Sequence, residues 1–359
     1  MGEAKLKRLF LGFIILFLIS GCVKKEIIDD INIVTGVGFD TLDDDQMIGT
    51  FLTQNFKADK SITNQTFISK ASLRRDLLIE AARQSSQPLV TGGVGVTVIG
   101  EELGKDGIKD ILDVYQRDVS IGARNYFAIA DGKAQKMLQG KYGTIGTGNY
   151  LYNLLDNNVK NKDIPKTNLH LLLHDYYQKG KDIYLPILKQ KSVNQVEISG
   201  ISFFKADKVV GVIPSEKMFF FSLLVNKYSK GNFSVPNNDD GKASIKSFVS
   251  KRKFKISKKN PSQVIIRIKI KGSIQEYTGK QLNQKEIKKI QENLERKVEK
   301  ESLKLVKDFQ RKRADPIGLG EFHKSRKRGF DFKKWENEYK NLNVKIDSNV
   351  IIEETGIIE

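Results

Sequence analysis

One cysteine, three histidines and one tryptophan are all that this 359-residue chain holds of three residue types that often carry chemistry. With a single thiol, Cys22, no internal disulfide can form. Stability must come from packed cores, which a chain of this length can build. The three histidines, His170, His174 and His323, leave little for a metal cage or a proton relay. His170 and His174 stand four apart on an expected helix, with Asp175 beside them. A zinc hydrolase places glutamate directly after the first histidine, where this chain has Leu171. His323 sits among Lys324, Arg326, Lys327 and Arg328, which should depress its basicity. The glycine run Gly143-Thr144-Ile145-Gly146-Thr147-Gly148 lacks the lysine and hydroxyl that complete a phosphate loop, so it is expected to turn the chain. Asp43 to Asp45 lack the glycine and glutamate of a calcium loop. No catalytic residue, metal ligand or cofactor is assigned, and the chain is not expected to be an enzyme. Long apolar runs are also scarce. Beyond the first 22 residues the best candidate, Met218 to Val225, falls far short of the roughly 20 residues that span a bilayer.

What is present begins at the amino terminus. Lys5, Lys7 and Arg8 precede an apolar run from Leu9 to Ile19, broken only by Gly12, and then Ser20-Gly21-Cys22. This is the layout of a bacterial secretory signal with a lipobox cleavage site. Residues 1–21 are expected to be removed. Cys22 would become the first mature residue, carrying S-diacylglycerol and an N-palmitoyl chain. One acyl chain anchors only marginally, whereas two or more hold durably. Everything after Cys22 is then a water-soluble body tethered outside the cytoplasmic membrane.

Net charge is +18, and it is not evenly spread. Between Gly241 and Lys340 there are 30 Lys and Arg against 12 Asp and Glu. An exported lipoprotein meets no chromosome, so nucleic acid is excluded as a partner. Anionic headgroups, wall polymers or an acidic protein remain, as does the plainer reading of solvated helix faces.

The expected fold class is α+β, with three mixed α/β domains whose sheets are largely antiparallel. After the signal peptide at 1–21, an N-terminal α+β domain is expected over 22–190, a small middle domain over 191–240, and a basic C-terminal α+β domain over 241–359. Alternating residues predict an antiparallel meander from Ile31 to Ile68, and Ser72 is placed to cap a helix running to Gln84. Residues 140–190 read as mostly helical. Pro236 to Gly241 is the clearest linker. Two long alternating strands follow, then a helix over 281–314. Its apolar stripe runs through Ile287, Ile290, Leu294, Val298, Leu305 and Phe309, with a break at Glu301. Pro316 stops this helix, Gly318 and Gly320 permit close packing, and Trp335 is expected to seal a helix onto the last sheet.

The ordered set of motifs resembles the C-subunit lipoproteins of bacterial spore germinant receptors, the Ger(x)C family. It starts with Gly21-Cys22 and Ile33-Val34-Thr35-Gly36-Val37-Gly38-Phe39-Asp40, although Val23 and Lys24 stand where many members have tryptophan and aspartate. It continues through Glu80-Ala81-Ala82-Arg83, Val98 to Leu103 and Ala130-Asp131-Gly132-Lys133-Ala134. Ser199 to Lys205 and Asp207 to Gly211 follow, and Ala314-Asp315-Pro316-Ile317-Gly318-Leu319-Gly320 with Trp335 closes the set. The resemblance implies a non-catalytic, lipid-anchored subunit on the outer face of the spore's inner membrane. It would work beside two integral-membrane subunits in nutrient-triggered germination, with no small-molecule ligand assigned to it. Asp315, Gly318, Gly320 and Trp335 are candidate structural or docking residues. The alternatives are a solute-binding lipoprotein of a transporter, and a basic adhesin for wall polymer or anionic lipid.

Overall fold

The computed structural model describes residues 30–355 except 44–45, 57–58, 60, 237–240, 261–262 and 280. The expected signal peptide, Cys22, Asp44-Asp45 and most of the Pro236–Gly241 linker lie outside the described residues.

The chain opens with the expected meander: β1 (Asn32–Asp43), β2 (Gln46–Phe56) and β3 (Ile62–Ala71), paired antiparallel in sequence order. Helix α1 (Arg74–Ala82) then packs Leu77 and Ala81 inward. Its N-cap is Leu73 and not Ser72, and no side chain caps it. Leu73 therefore stands outside the helix and is 66% exposed, instead of joining the apolar face. After the short β4 (Leu89–Val90) come β5 (Val96–Ile99), α2 (Glu101–Asp106), α3 (Lys109–Arg117), β6 (Tyr126–Ala130) and α4 (Ala134–Gln139). Helices α5 (Thr147–Asn161) and α6 (Leu169–Tyr177) follow.

The expected helical stretch then gives way to a strand, β7 (Tyr184–Ser192). Tyr184, Leu185, Pro186 and Leu188 are all buried, so the segment shows no alternation and reads as helix or strand equally well. β7 pairs parallel with β6 and antiparallel with β8 (Gln195–Lys205), which pairs with β9 (Lys208–Pro214). The resulting sheet has the order β3-β2-β1-β5-β6-β7-β8-β9, with β4 beside β1. Its centre, β1-β5-β6-β7, is parallel, while its flanks are antiparallel.

Helix α7 (Met218–Val225) leads to β10 (Tyr228–Pro236) in a second sheet of order β10-β11-β12-β13. Strands β11 (Lys242–Ile256) and β12 (Gln263–Tyr277) form its long antiparallel pair. Helices α8 (Gln284–Arg311), α9 (Leu319–Lys324) and α10 (Phe332–Tyr339) cross over to β13 (Asn343–Thr355), which runs parallel to β12. Asn283 caps α8 by accepting from the Glu286 N–H at 3.0 Å. The break at Glu301 resolves simply. Glu301 turns aside to pair with Lys304 at 2.7 Å, and the small Ser302 takes the buried position next to it.

Residues 191–240 are shared between the two sheets. β8 and β9 extend the first, and α7 and β10 belong with the second. One hydrophobic cluster joins Ile201, Phe203 and Ile213 to Ile266, Leu294 and Phe309. Phe309 of α8 meets the Phe203 ring at 4.9 Å and the Phe221 ring at 6.0 Å, both edge-on.

Candidate functional site

α8 ends at Arg311, ahead of Pro316, because Arg313 turns left-handed at φ +55° and Ala314 N–H closes on Phe309 O at 3.0 Å; Asp315 then turns inward. Its Oδ1 accepts from the N–H groups of Gly318 and Leu319, both at 3.0 Å, and its Oδ2 accepts from Gly320 N–H at 2.7 Å. The carboxylate thus satisfies the free donors at the start of α9. Gly318, the N-cap, has φ +78°, a left-handed conformation that favours glycine. Asp315 also pairs through its backbone with Asp182. Its N–H donates to Asp182 Oδ2 at 2.7 Å, and its carbonyl accepts from Asp182 N–H at 3.0 Å. Asp182 Oδ1 in turn accepts from Ala206 N–H at 3.1 Å. Two carboxylates therefore stitch the loop before β7, the β8–β9 turn and the start of α9 into one joint between the sheets. Burial pushes the Asp315 carboxyl up to about 7. Its three amide donors oppose that rise, and the Asp182 charge adds to it.

Gly320 closes the joint. A Cβ there would lie 2.7 Å from Trp335 Nε1 and 2.9 Å from Gly180 Cα. Glu321 N–H donates to Gly180 O at 2.9 Å across the same contact. Trp335 is 6% exposed and packs against the rings of His323, Phe330 and Tyr339 at 4.6, 5.8 and 5.7 Å. The Tyr339 hydroxyl donates to Ala314 O at 2.8 Å. The structure thus brings Asp315, Gly318, Gly320 and Trp335 together. His323 has its basicity lowered, as expected, but the leading cause is burial beside Trp335 and not the neighbouring cations.

The other candidates take local roles. His170 and His174 are both exposed, and His174 Nδ1 lies 3.1 Å from Asp175 Oδ1. Asp175 is engaged by Lys181 at 2.6 Å. Among the described residues no group of three or more His, Cys, Asp or Glu is arranged to hold a metal ion. In the glycine run, Gly143 and Gly146 have φ of +61° and +81°, and Thr147 N–H donates to Asn64 Oδ1 at 3.1 Å. Asp40, from the opening motif, accepts from Ala134 and Gln135 N–H at 2.7 and 2.8 Å. It thereby caps α4, whose start is the Ala130–Ala134 motif. Gly100 leaves room for that carboxylate, since a Cβ there would stand 2.2 Å from Asp40 Oδ1.

Sequence reasoning missed the surface beside the joint. An open cleft of about 680 Å³ is lined by Phe254, Ile256 and Phe322 together with Lys253, Lys255 and Arg326, among others. The lining contains cations and no carboxylate. Arg252 lies beneath it. One of its amino groups donates to Leu224 O at 2.6 Å, and the guanidinium covers the Phe254 ring at 4.0 Å. Burial pulls this guanidinium down to about 10. The signal was available in the alternation of cations with Phe254 and Ile256 along 251–256.

Two family models match. The spore germination protein N-terminal domain covers residues 24–190, and the spore germination B3/GerAC-like C-terminal domain covers 199–356. The chain is 31% identical to spore germination protein GerQC of Bacillus cereus, over 99% of this chain and 100% of that one. It is 22% identical to spore germination protein A3 of Bacillus subtilis (strain 168), over 66% of this chain and 74% of that one. The crystal structure of the GerBC protein superposes with a TM-score of 0.60 at 15% identity, over 89% of this chain and 97% of that one. A full-length relative above 30% identity and two adjoining family domains, on a fold shared with GerBC, establish that this chain belongs to the Ger(x)C family of spore germination proteins.

Proposed function

We propose that this chain is the non-catalytic C subunit of a spore germinant receptor, anchored through lipid on Cys22 to the outer face of the spore's inner membrane. It docks there on two integral-membrane subunits. The observation that carries this reading is the full-length match to a spore germination protein in a chain that begins with a lipobox. No helix of the described residues is long and apolar enough to cross a membrane. A leashed protein searches two dimensions, and local concentration makes weak contacts effective.

Asp315, Gly318, Gly320 and Trp335 act in this reading by holding the joint. Trp335 is too buried to be the contact itself, so docking falls to the neighbouring cleft of Phe254, Phe322 and Arg326. Cys22→Ala should move the protein from the membrane to the soluble fraction and slow nutrient germination. Unchanged fractionation with unchanged germination contradicts the proposal. Phe322→Ser with Arg326→Glu should leave the protein on the membrane yet abolish its co-purification with the membrane subunits. The basic third region also favours contact with anionic lipid. That contact should weaken steeply between about 0.05 and 0.5 M salt, whereas an apolar docking contact should not.

A further inference from the structure

The first sheet carries a second cavity, which shares no lining residue with the cleft beside the joint. Helices α1 and α3 stand side by side on β1 and β2 and leave about 490 Å³ between them. Phe39, Phe51, Ile111 and Tyr115 form a buried apolar floor, and Leu78 and Val114 form half-buried walls. Three guanidinium groups line this largely apolar space: Arg75 and Arg117 are exposed, and Arg74 is half-buried. The Arg74 side chain is only 9% exposed. Its nearest carboxylate, Asp110, is 3.5 Å away and 76% exposed, a loose pair. One of its amino groups, buried, has no hydrogen-bond partner. Burial pulls this guanidinium down to about 10, against the opposing charges of Asp110 and Asp113. The one carboxylate of the lining, Asp118, is engaged in its own loop. It accepts from Ser120 N–H at 2.9 Å and from the Ser120 hydroxyl at 2.6 Å.

A buried guanidinium lacking a full partner is costly, and an apolar cavity beside it is the usual form of a small-molecule site. We propose that this cavity binds a small carboxylate with an apolar body, its carboxylate on Arg74 and its body on the aromatic floor. At roughly the 30 Å³ that a water molecule occupies in the liquid, the volume admits about 16 non-hydrogen atoms. Its lining is separate from that of the docking cleft and invisible to local sequence patterns, because it is assembled from β1, β2, α1 and α3.

The test uses the full chain with methyl-labelled Leu, Ile and Val, and 4-phenylbutyrate as the probe. Saturable NMR shifts are expected at Leu78, Ile111 and Val114, with a Kd on the order of 1 mM for a ligand of this size. The neutral analogue 4-phenylbutan-1-ol should bind about tenfold more weakly, and Arg74→Gln should remove that difference. If Arg74→Gln does not fold, the comparison of acid with alcohol in the native chain still decides. No saturable shift up to about 10 mM, or equal affinity for acid and alcohol, overturns the proposal.

Discussion

Replacing Gly320 by alanine adds one methyl group at the tightest contact of the joint. That methyl would lie 2.7 Å from Trp335 Nε1, 2.9 Å from Gly180 Cα and 3.0 Å from Gly180 O. Two of these atoms are backbone, tied in place by the Glu321 N–H bond and by the positive φ of Gly180, so neither side can give. Overpacking of this kind costs about 1–3 kcal/mol, and the upper end applies here. Alanine recovers up to about 1 kcal/mol as the better helix former within α9. The net loss should be about 2 kcal/mol. With an m-value of about 3 kcal/mol/M or more for a chain of this size, the urea midpoint should fall by about 0.5 M. The assay is built in, because Trp335 is the only tryptophan and its fluorescence reports the joint directly. Gly122→Ala is the control, since a Cβ there meets nothing within 4 Å and its midpoint should not fall. A Gly320→Ala midpoint at or above the native value refutes the close-packing argument.

Asp315 makes stability depend on pH with a definite sign. Its folded pKa is raised to about 7 from an ordinary 3.8, so the folded state holds the proton more tightly and stability falls as pH rises between those values. Asp315→Asn removes that slope, so the native-minus-mutant difference in urea midpoint should shrink from pH 4 to pH 7. A difference that grows instead contradicts the burial argument. Phe309→Ala should cost about 3–5 kcal/mol, because the ring is fully buried between Phe203 and Phe221. Phe203 belongs to the first sheet and Phe309 to α8, so a double-mutant cycle in urea should show about 0.5–1.5 kcal/mol of coupling, and none if the halves are independent.

Much of the fold was legible where one face is wet. β12 alternates from Val264 to Ile270, α8 shows its apolar stripe, and β11, β12 and α8 were all expected within a turn of their ends. β7 was not, because Tyr184 to Leu188 is buried almost throughout and burial erases the period of two. The parallel centre of the first sheet was hidden for a different reason. Parallel neighbours such as β1 and β5 lie far apart in sequence, and no turn announces them. The joint was half visible. Asp315, Gly318, Gly320 and Trp335 stood out as a cluster, but their partners Gly180 and Asp182 are more than 130 residues away. Asp40 capping a helix 94 residues downstream is equally invisible to local reasoning. The Arg74 cavity left no trace at all, since an arginine at the first position of a helix ordinarily faces water.

The proposed lipid on Cys22 holds a folded, non-catalytic body at a membrane. Mass spectrometry of the amino-terminal peptide from membrane-extracted protein tests it directly. The expected peptide begins at Cys22 and carries a diacylglyceryl group on sulfur and a palmitoyl group on nitrogen. A peptide that retains residues 1–21, or a Cys22 with a free thiol, contradicts it.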